Sequence, residues 1–173
     1  MENLNDPREI HMLKAIELAK NAVSNGEAPF GAVIVDTTND QVITQGANHA
    51  KLNSIWHGEM DAINNLATVA ESEGISVYQF CLERQLELYT TAEPCPMCMG
   101  CIIFTGFSKV TYGTSLEKLS NFGWNQITIP CNDLADKSWI NVEVQSGMLD
   151  QLTDELYKNG PSSKVIKDNV NER

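Results

Sequence analysis

The sequence, 173 residues long, predicts an α/β domain with helices laid over a sheet that contains parallel strands. Three observations predict it. An amphipathic helical stripe near the start leads into two short β-rich runs joined by a turn. Beyond them, strand-like and helix-like segments alternate in two successive β-α-β units. The length suits one domain with one substantial core.

The first helix begins where Asp6-Pro7-Arg8-Glu9 supplies an N-cap, a proline at the first helical position and a capping-box partner. Gly26 stops it. Between them Ile10, Leu13, Ile16, Ala19 and Val23 recur at three- and four-residue steps and form the expected core-facing stripe. Phe30 to Val35 is a short apolar β-rich run, Thr37-Thr38-Asn39-Asp40 a turn, and Gln41 to Gln45 an alternating second strand, so this stretch reads as a hairpin. A helix follows from about His57 to Val69. The region from there to Arg84 carries no clear pattern, after which Leu86 to Thr90 is a strand. The chain turns helical from Pro94 through about Phe104, and Lys109 to Tyr112 is again a strand. Two such crossovers imply parallel strands covered by helices. Ile140 to Val144 is a last strand, and Met148 to Tyr157 a last helix with Leu149, Leu152 and Leu156 on one face. The domain is therefore read as residues 1–158, with 159–173 a polar, flexible C-terminal tail.

With 42% hydrophobic and 20% charged residues, the composition is that of an ordinary globular protein. No apolar run is long enough to span a bilayer, and Met1 to Leu13 is too polar for a secretory signal, so no membrane association and a cytoplasmic location are expected. Five cysteines is an odd number. Cys95, Cys98 and Cys101 cluster as a metal or redox site would, rather than as a disulfide framework. Lys and Arg number 12 against 23 Asp and Glu, a net charge of −11. That balance disfavours nucleic acid as a partner unless a local basic patch overrides it.

Two clusters carry chemistry: His57-Gly58-Glu59 and Pro94-Cys95-Pro96-Met97-Cys98, each opening a helix after an extended segment. Alone, either has an ordinary explanation, a chance pair or a redox dithiol. Together they offer one imidazole, two thiolates and an unliganded carboxylate. Three protein ligands leave a fourth zinc position open, which is the catalytic rather than the structural arrangement. Cys95 and Cys98 share a helical face, and a helix N-terminus favours their thiolate forms. His57, Cys95 and Cys98 are thus the candidate Zn²⁺ ligands. Glu59 is the candidate proton carrier, near the metal but not bound to it.

These motifs resemble the signature of the cytidine deaminase superfamily, His-x-Glu followed by Pro-Cys-x-x-Cys. Glu27 to Val35, Gly46-Ala47-Asn48 and Thr91 to Gly100 resemble the branch holding bacterial guanine deaminases and tRNA adenosine deaminases, and the similarity covers roughly residues 8–115. The resemblance implies a three-layer α/β/α sandwich around a mixed five-stranded sheet, one zinc per subunit, and a homodimer. It also implies hydrolytic deamination of a nucleobase or nucleoside with release of ammonia. A guanine-like purine comes first because the region around Pro-Cys-Pro-Met-Cys resembles guanine deaminases; wobble adenosine in tRNA is the alternative, then cytosine. A silent zinc-binding interaction module and a thiol redox protein are the readings of other classes.

By the same resemblance Asn48 bonds the substrate and the Gly58 backbone N–H meets a substrate carbonyl. Phe30 stacks on a planar base or fills the core. Gly58 stands where alanine is commoner, as in fungal cytosine deaminases. Cys101 reads as a buried free thiol, Cys81 and Cys131 as structural, and His49 as a surface residue. Trp56 and Trp124 are candidates for the pocket wall or for packing. Ser120 to Ile127 matches no substrate-binding segment of the family.

Overall fold

The computed structural model describes residues 6–159. In chain order the elements are α1 (Glu9–Ser24), β1 (Gly31–Asp36), β2 (Gln41–Ala47), α2 (Gly58–Ser72), α3 (Val77–Glu83), β3 (Leu86–Ala92), α4 (Pro96–Thr105), β4 (Lys109–Thr114), α5 (Leu116–Asn121), α6 (Cys131–Ala135), β5 (Glu143–Gln145) and α7 (Asp150–Tyr157). Nearly all of the tail expected over 159–173 lies outside the described residues. Among those described, no helix is long and apolar enough to cross a membrane.

The strands form one five-stranded sheet in the order β2-β1-β3-β4-β5. The β1–β2 hairpin makes the first pair antiparallel, and β1 is also antiparallel to β3. Consequently β2 and β3 run the same way on either side of β1, joined by a crossover through α2. The next crossover, through α4, sets β4 parallel beside β3, and β5 adds a further parallel strand. The sheet is mixed because a hairpin opens it and β-α-β units finish it.

Side-chain alternation along β1 divides the core. Val33 and Val35 meet Met12, Ala15 and Ile16 of α1, with Leu152 and Leu156 of α7 packed alongside. Ala32 and Ile34 face the other way, into a cluster with Ala62 and Leu66 of α2, Phe80 of α3 and Met99 and Ile102 of α4. Helices therefore cover both faces, and β1 and β3 are buried along their whole length, as strands between two helical layers must be. The three-layer α/β/α arrangement and its mixed five-stranded sheet match the expectation.

Several local readings need correction. The α-helical run starts at Glu9, not Pro7, and the Asp6 carboxylate works one turn earlier. It accepts the Arg8 backbone N–H at 2.9 Å and the Arg8 guanidinium, which holds its carboxyl below the ordinary value. The buried face of α1 is Met12, Ala15, Ile16, Ala19 and Ala22, whereas Ile10 and Val23 are about half exposed, at 54% and 52%. The alanines allow close approach: a Cβ on Gly31 would stand 2.3 Å from the Ala15 carbonyl oxygen. Helix α3, within the unreadable stretch, is capped by Ser76, whose hydroxyl accepts from Gln79 N–H. The last strand is Glu143–Gln145 rather than 140–144, since pairing begins at Lys109 opposite Glu143. Helix α7 starts at Asp150 because Gly147 and Leu149 both have positive φ and turn the chain first.

One contact fixes the site. Helix α2 lies so close on β2 that a Cβ at Gly46 would stand 2.2 Å from Ala62 N and 2.4 Å from the Gly58 carbonyl oxygen. Ala47 N–H donates to Asp61 Oδ2 at 3.0 Å, and Thr44 Oγ1 to the Ala62 carbonyl at 3.0 Å. Gly46→Ala must push α2 outward, at a cost of about 1–3 kcal/mol as for other overpacked sites. Each kcal/mol lowers the melting temperature by about 2–4 °C in a chain of this size. Zinc content should fall with it, since His57 and Glu59 ride on that turn. Thermal unfolding with metal analysis checks this, and an unchanged melting temperature would show the approach to be looser than described.

Candidate active site

Both sequence clusters sit at helix N-termini, and both open in the same way. His57 is the N-cap of α2 at φ −77°, ψ 165°, and Cys95 is the N-cap of α4 at φ −63°, ψ 165°. Extended backbone at an N-cap turns the side chain off the helix end. Pro96 at the first helical position gives up an N–H that had no intrahelical acceptor. Cys98, two residues further, and Glu59, in the first turn of α2, reach the same space.

His57 Nδ1 lies 3.5 Å from Cys98 Sγ and 3.8 Å from Cys95 Sγ. The three ligand atoms fall within 4.8 Å of one another, the one such cluster of histidine, cysteine and carboxylate groups among the described residues. A tetrahedral zinc with Zn–N near 2.05 Å and Zn–S near 2.3 Å spaces nitrogen and sulfur about 3.5 Å apart. The observed separations fit that edge, so the donor set could hold one zinc ion with a position left free.

Glu59 is buried, 4% exposed, and the Cys98 thiol donates to its Oε2 at 3.5 Å. Burial pushes the Glu59 carboxyl above its ordinary value, with the nearby His57 opposing. The thiols split. Cys95 accepts from Cys98, and also hydrogen-bonds His57, and lies low, at about 4 despite its burial. Cys98, the donor and itself buried, is pushed well above the ordinary thiol value. His57 is raised, chiefly by its bond to Cys95. These are the balances of the ligand set with only protons to hold. A divalent cation displaces them, because ligating thiols are deprotonated outright.

Beside the ligands opens a pocket of about 190 Å³, lined among others by Phe30, Asn48, His57, Glu59 and Cys95. The structure thus brings together six of the seven predicted site residues at one cavity or its metal cluster. Gly58, buried against the Phe30 and Gly31 backbone, is not among the lining residues. Phe30 lines the pocket and also packs on Trp124 and Tyr157 at ring separations of 5.5 and 5.2 Å. Trp124 also lines the pocket. Trp56 does not; its indole N–H donates to Asp61 Oδ1 at 2.9 Å and its ring meets His49. His49 is half exposed. Cys101 stands outside the ligand cluster against Thr105. Cys81 and Cys131 are buried in the core, where desolvation pushes the Cys81 thiol up to about 12.

Three polar lining residues, Glu93, Asn125 and Gln126, escaped the sequence. Glu93 is buried and accepts Leu116 N–H and Cys131 N–H, each at 2.9 Å, one on each oxygen. A carboxylate two residues before the first cysteine was a usable signal. Asn125 and Gln126 come from a stretch with no helix or strand assigned, and nothing in their spacing announces them.

A mixed sheet whose helix ends gather an imidazole, two thiols and an unliganded carboxylate defines a zinc-hydrolase type of site with an open position. Residues 6–114 match the family described as the cytidine and deoxycytidylate deaminase zinc-binding region, and the chain belongs to that family. It is a hydrolytic deaminase acting on C–N bonds. Among relatives, a tRNA-specific adenosine deaminase of Rickettsia bellii is 35% identical over 109 residues, 62% of this chain and 70% of its own. A tRNA-specific adenosine deaminase 2 of Xenopus laevis is 30% identical over 181 residues, 96% of this chain and 99% of its own. A cytosine deaminase of Candida albicans is 35% identical over 109 residues, 62% of this chain and 66% of its own. The fold also matches a guanine deaminase of Nitrosomonas europaea, with a TM-score of 0.74, 21% identity, and coverage of 92% of this chain and 87% of that one.

Cys98→Ser and His57→Ala should each abolish stoichiometric zinc, while Cys101→Ser should retain it; atomic absorption on the purified variants separates these outcomes. Because metal uptake must expel the Cys98 proton, zinc affinity of the apoprotein should fall as pH is lowered. Competition titrations with a chromophoric chelator at two pH values read the direction, and a pH-independent affinity would exclude Cys98 as a ligand.

Proposed function

We propose that this chain deaminates a free nucleobase or nucleoside, with a guanine-like purine as the first substrate. The observation that carries this reading is the lining of the pocket, which among the described residues includes no Lys or Arg. A polynucleotide substrate needs cationic contacts to its phosphates, and the chain as a whole carries −11. The pocket is also small: about 190 Å³ is below the usual range of drug-sized sites, roughly 300–1,000 Å³. Glu59, when ionised, can accept a hydrogen bond from a substrate N–H in this pocket. Guanine offers N–H donors at N1 and at its exocyclic N2, which adenine lacks.

A second reading, deamination of adenosine at the tRNA wobble position, is supported by the Xenopus relative, which aligns over nearly the full length of both chains. Cytosine, supported by the Candida relative, is the third.

In this scheme His57, Cys95 and Cys98 hold the zinc. When bound, zinc lowers the pKa of water toward neutrality and so supplies the nucleophile. Glu59 takes a proton from the attacking water and gives it to the ring nitrogen, then takes the remaining proton from the newly added hydroxyl and gives it to the departing amine, so that C–NH₂ becomes C=O and ammonia leaves. Its place beside the ligand set, buried and not itself a ligand, suits a group that must both accept and donate a proton. Phe30 and Trp124 flank the ring. Asn48 bonds its edge, and the Gly58 N–H, one of those left without an intrahelical acceptor at the start of α2, meets its carbonyl oxygen. Five free cysteines fit a reducing compartment such as the cytoplasm. Phe104 and Trp139, 72% and 62% exposed and 4.9 Å apart, are an apolar pair that the partner copy of a homodimer would cover.

Ammonia release measured with guanine, cytosine, adenosine and an anticodon stem-loop RNA should be greatest for guanine; turnover of the RNA alone would overturn the ranking. Glu59→Gln should keep zinc and fold while lowering kcat by at least about 100-fold, the scale of general acid–base catalysis. Full turnover in that variant would remove Glu59 as the proton carrier, whereas a wild-type protein that binds zinc but turns over no substrate of the panel would leave a silent zinc module as the better reading.

A further inference from the structure

We infer that Glu27 is a positioning residue that sets which way the Asn48 amide faces, and thereby makes the pocket select an N–H donor on the substrate. The inference rests on Asn48 being a substrate contact, as proposed above. Asn48 is 2% exposed and its backbone is pinned, its N–H donating to the Phe30 carbonyl at 3.0 Å. Its side chain has one partner: Nδ2 donates to Glu27 Oε2 at 3.2 Å. A carboxylate can only accept, so the nitrogen must face Glu27 and the amide cannot turn over without placing two oxygens together. The same Glu27 oxygen accepts Lys51 N–H at 3.2 Å, which fixes the carboxylate in turn.

That leaves Asn48 Oδ1. It accepts no hydrogen bond from any described residue. Yet among the described residues no buried side-chain nitrogen or oxygen lacks a partner. With the nitrogen held by Glu27, Oδ1 is the polar atom that Asn48 has left to offer the cavity it lines beside the metal cluster. An acceptor aimed at the substrate rewards an N–H on the ring edge and leaves an edge acceptor unpaired, the kind of mismatch that discriminates strongly between substrates.

The test compares kcat, KM, zinc content and melting temperature of Asn48→Ala, Glu27→Ala, Glu27→Gln, Asn48→Asp and the double variant Glu27→Gln/Asn48→Asp. The substrate is whichever base of the panel the wild-type protein turns over fastest, so the outcome does not depend on guanine being that base. With the amide freed from its clamp, Glu27→Ala should cost about 10-fold in kcat/KM, carried by KM, with zinc content and melting temperature close to wild type. Glu27→Gln keeps an oxygen in the clamping position and should recover to within about 3-fold. Asn48→Asp sets two carboxylates against each other and should be impaired. Adding Glu27→Gln to it supplies a donor to the carboxylate introduced at position 48, returns an acceptor to the pocket, and should restore at least about 10-fold of that loss. Three results would overturn the inference: Asn48→Ala at wild-type kcat/KM, which removes Asn48 from the site; Glu27→Ala at wild-type kcat/KM while Asn48→Ala is impaired; or loss in Glu27→Ala that tracks melting temperature or zinc content, which is a structural role.

Discussion

The site depends on two helix ends being held over the same edge of the sheet. Strands β2 and β3 run in the same direction with β1 reversed between them, so the end of β2, the start of β1 and the end of β3 lie side by side. Asn48 follows β2, Phe30 precedes β1, and Glu93 and Cys95 follow β3. The register makes this concrete: Gly31 pairs with Ala47, and Ala32 with Thr90. A hairpin and one crossover are thus enough to collect pocket and ligands from three separate parts of the chain. The close seat of α2 on β2 at Gly46 then fixes how far His57 stands from the cysteines.

That arrangement concentrates groups that repel one another in the absence of a cation. Glu59 and two thiols share a buried space with a single imidazole, and burial alone disfavours every anionic form among them. The two helix N-termini offset part of this, each presenting a partial positive charge to the groups at its first turn. The rest is borne by protons: Cys98 keeps its one hydrogen, for which Cys95 and Glu59 compete as acceptors. A divalent ion satisfies the same set with thiolates and a neutral imidazole, and it frees Glu59 from its thiol partner.

How much of this was legible follows from what each feature depends on. His57, Glu59, Cys95 and Cys98 were readable because residue type and spacing at a helix start are local properties. The two crossovers were readable from alternating periodicity, and they imply the layered α/β architecture. The buried face of α1 is misjudged from sequence because large apolar residues such as Ile10 and Val23 dominate the stripe. The true face is built largely from alanines whose value lies in letting the backbone of Gly31 approach, a tertiary requirement. Helix α3 went unread because only Phe80 and Cys81 of its seven residues are buried, too few for a stripe. Asn125 and Gln126 reach the pocket through an irregular segment, and irregular segments carry no period.

The division has a consequence for substrate choice. The family signature ends at residue 114, and the residues that could move protons and hold a metal all lie within it. Much of the aromatic wall does not. Trp124 lies beyond that limit, and it is held from behind by α7: its indole N–H donates to the Tyr157 carbonyl at 3.1 Å, while the Tyr157 hydroxyl donates to Thr91 Oγ1 at 2.7 Å. Helix α7 is tied in turn to β4 and α5, through Asp154 to Thr114 and Lys118. One face of the pocket is therefore shaped by a segment that lies beyond the matched family region. The residues that could hold a metal and move protons all lie in the matched region, while the cavity they face is closed in part by residues beyond it, Leu119, Trp124, Asn125 and Gln126.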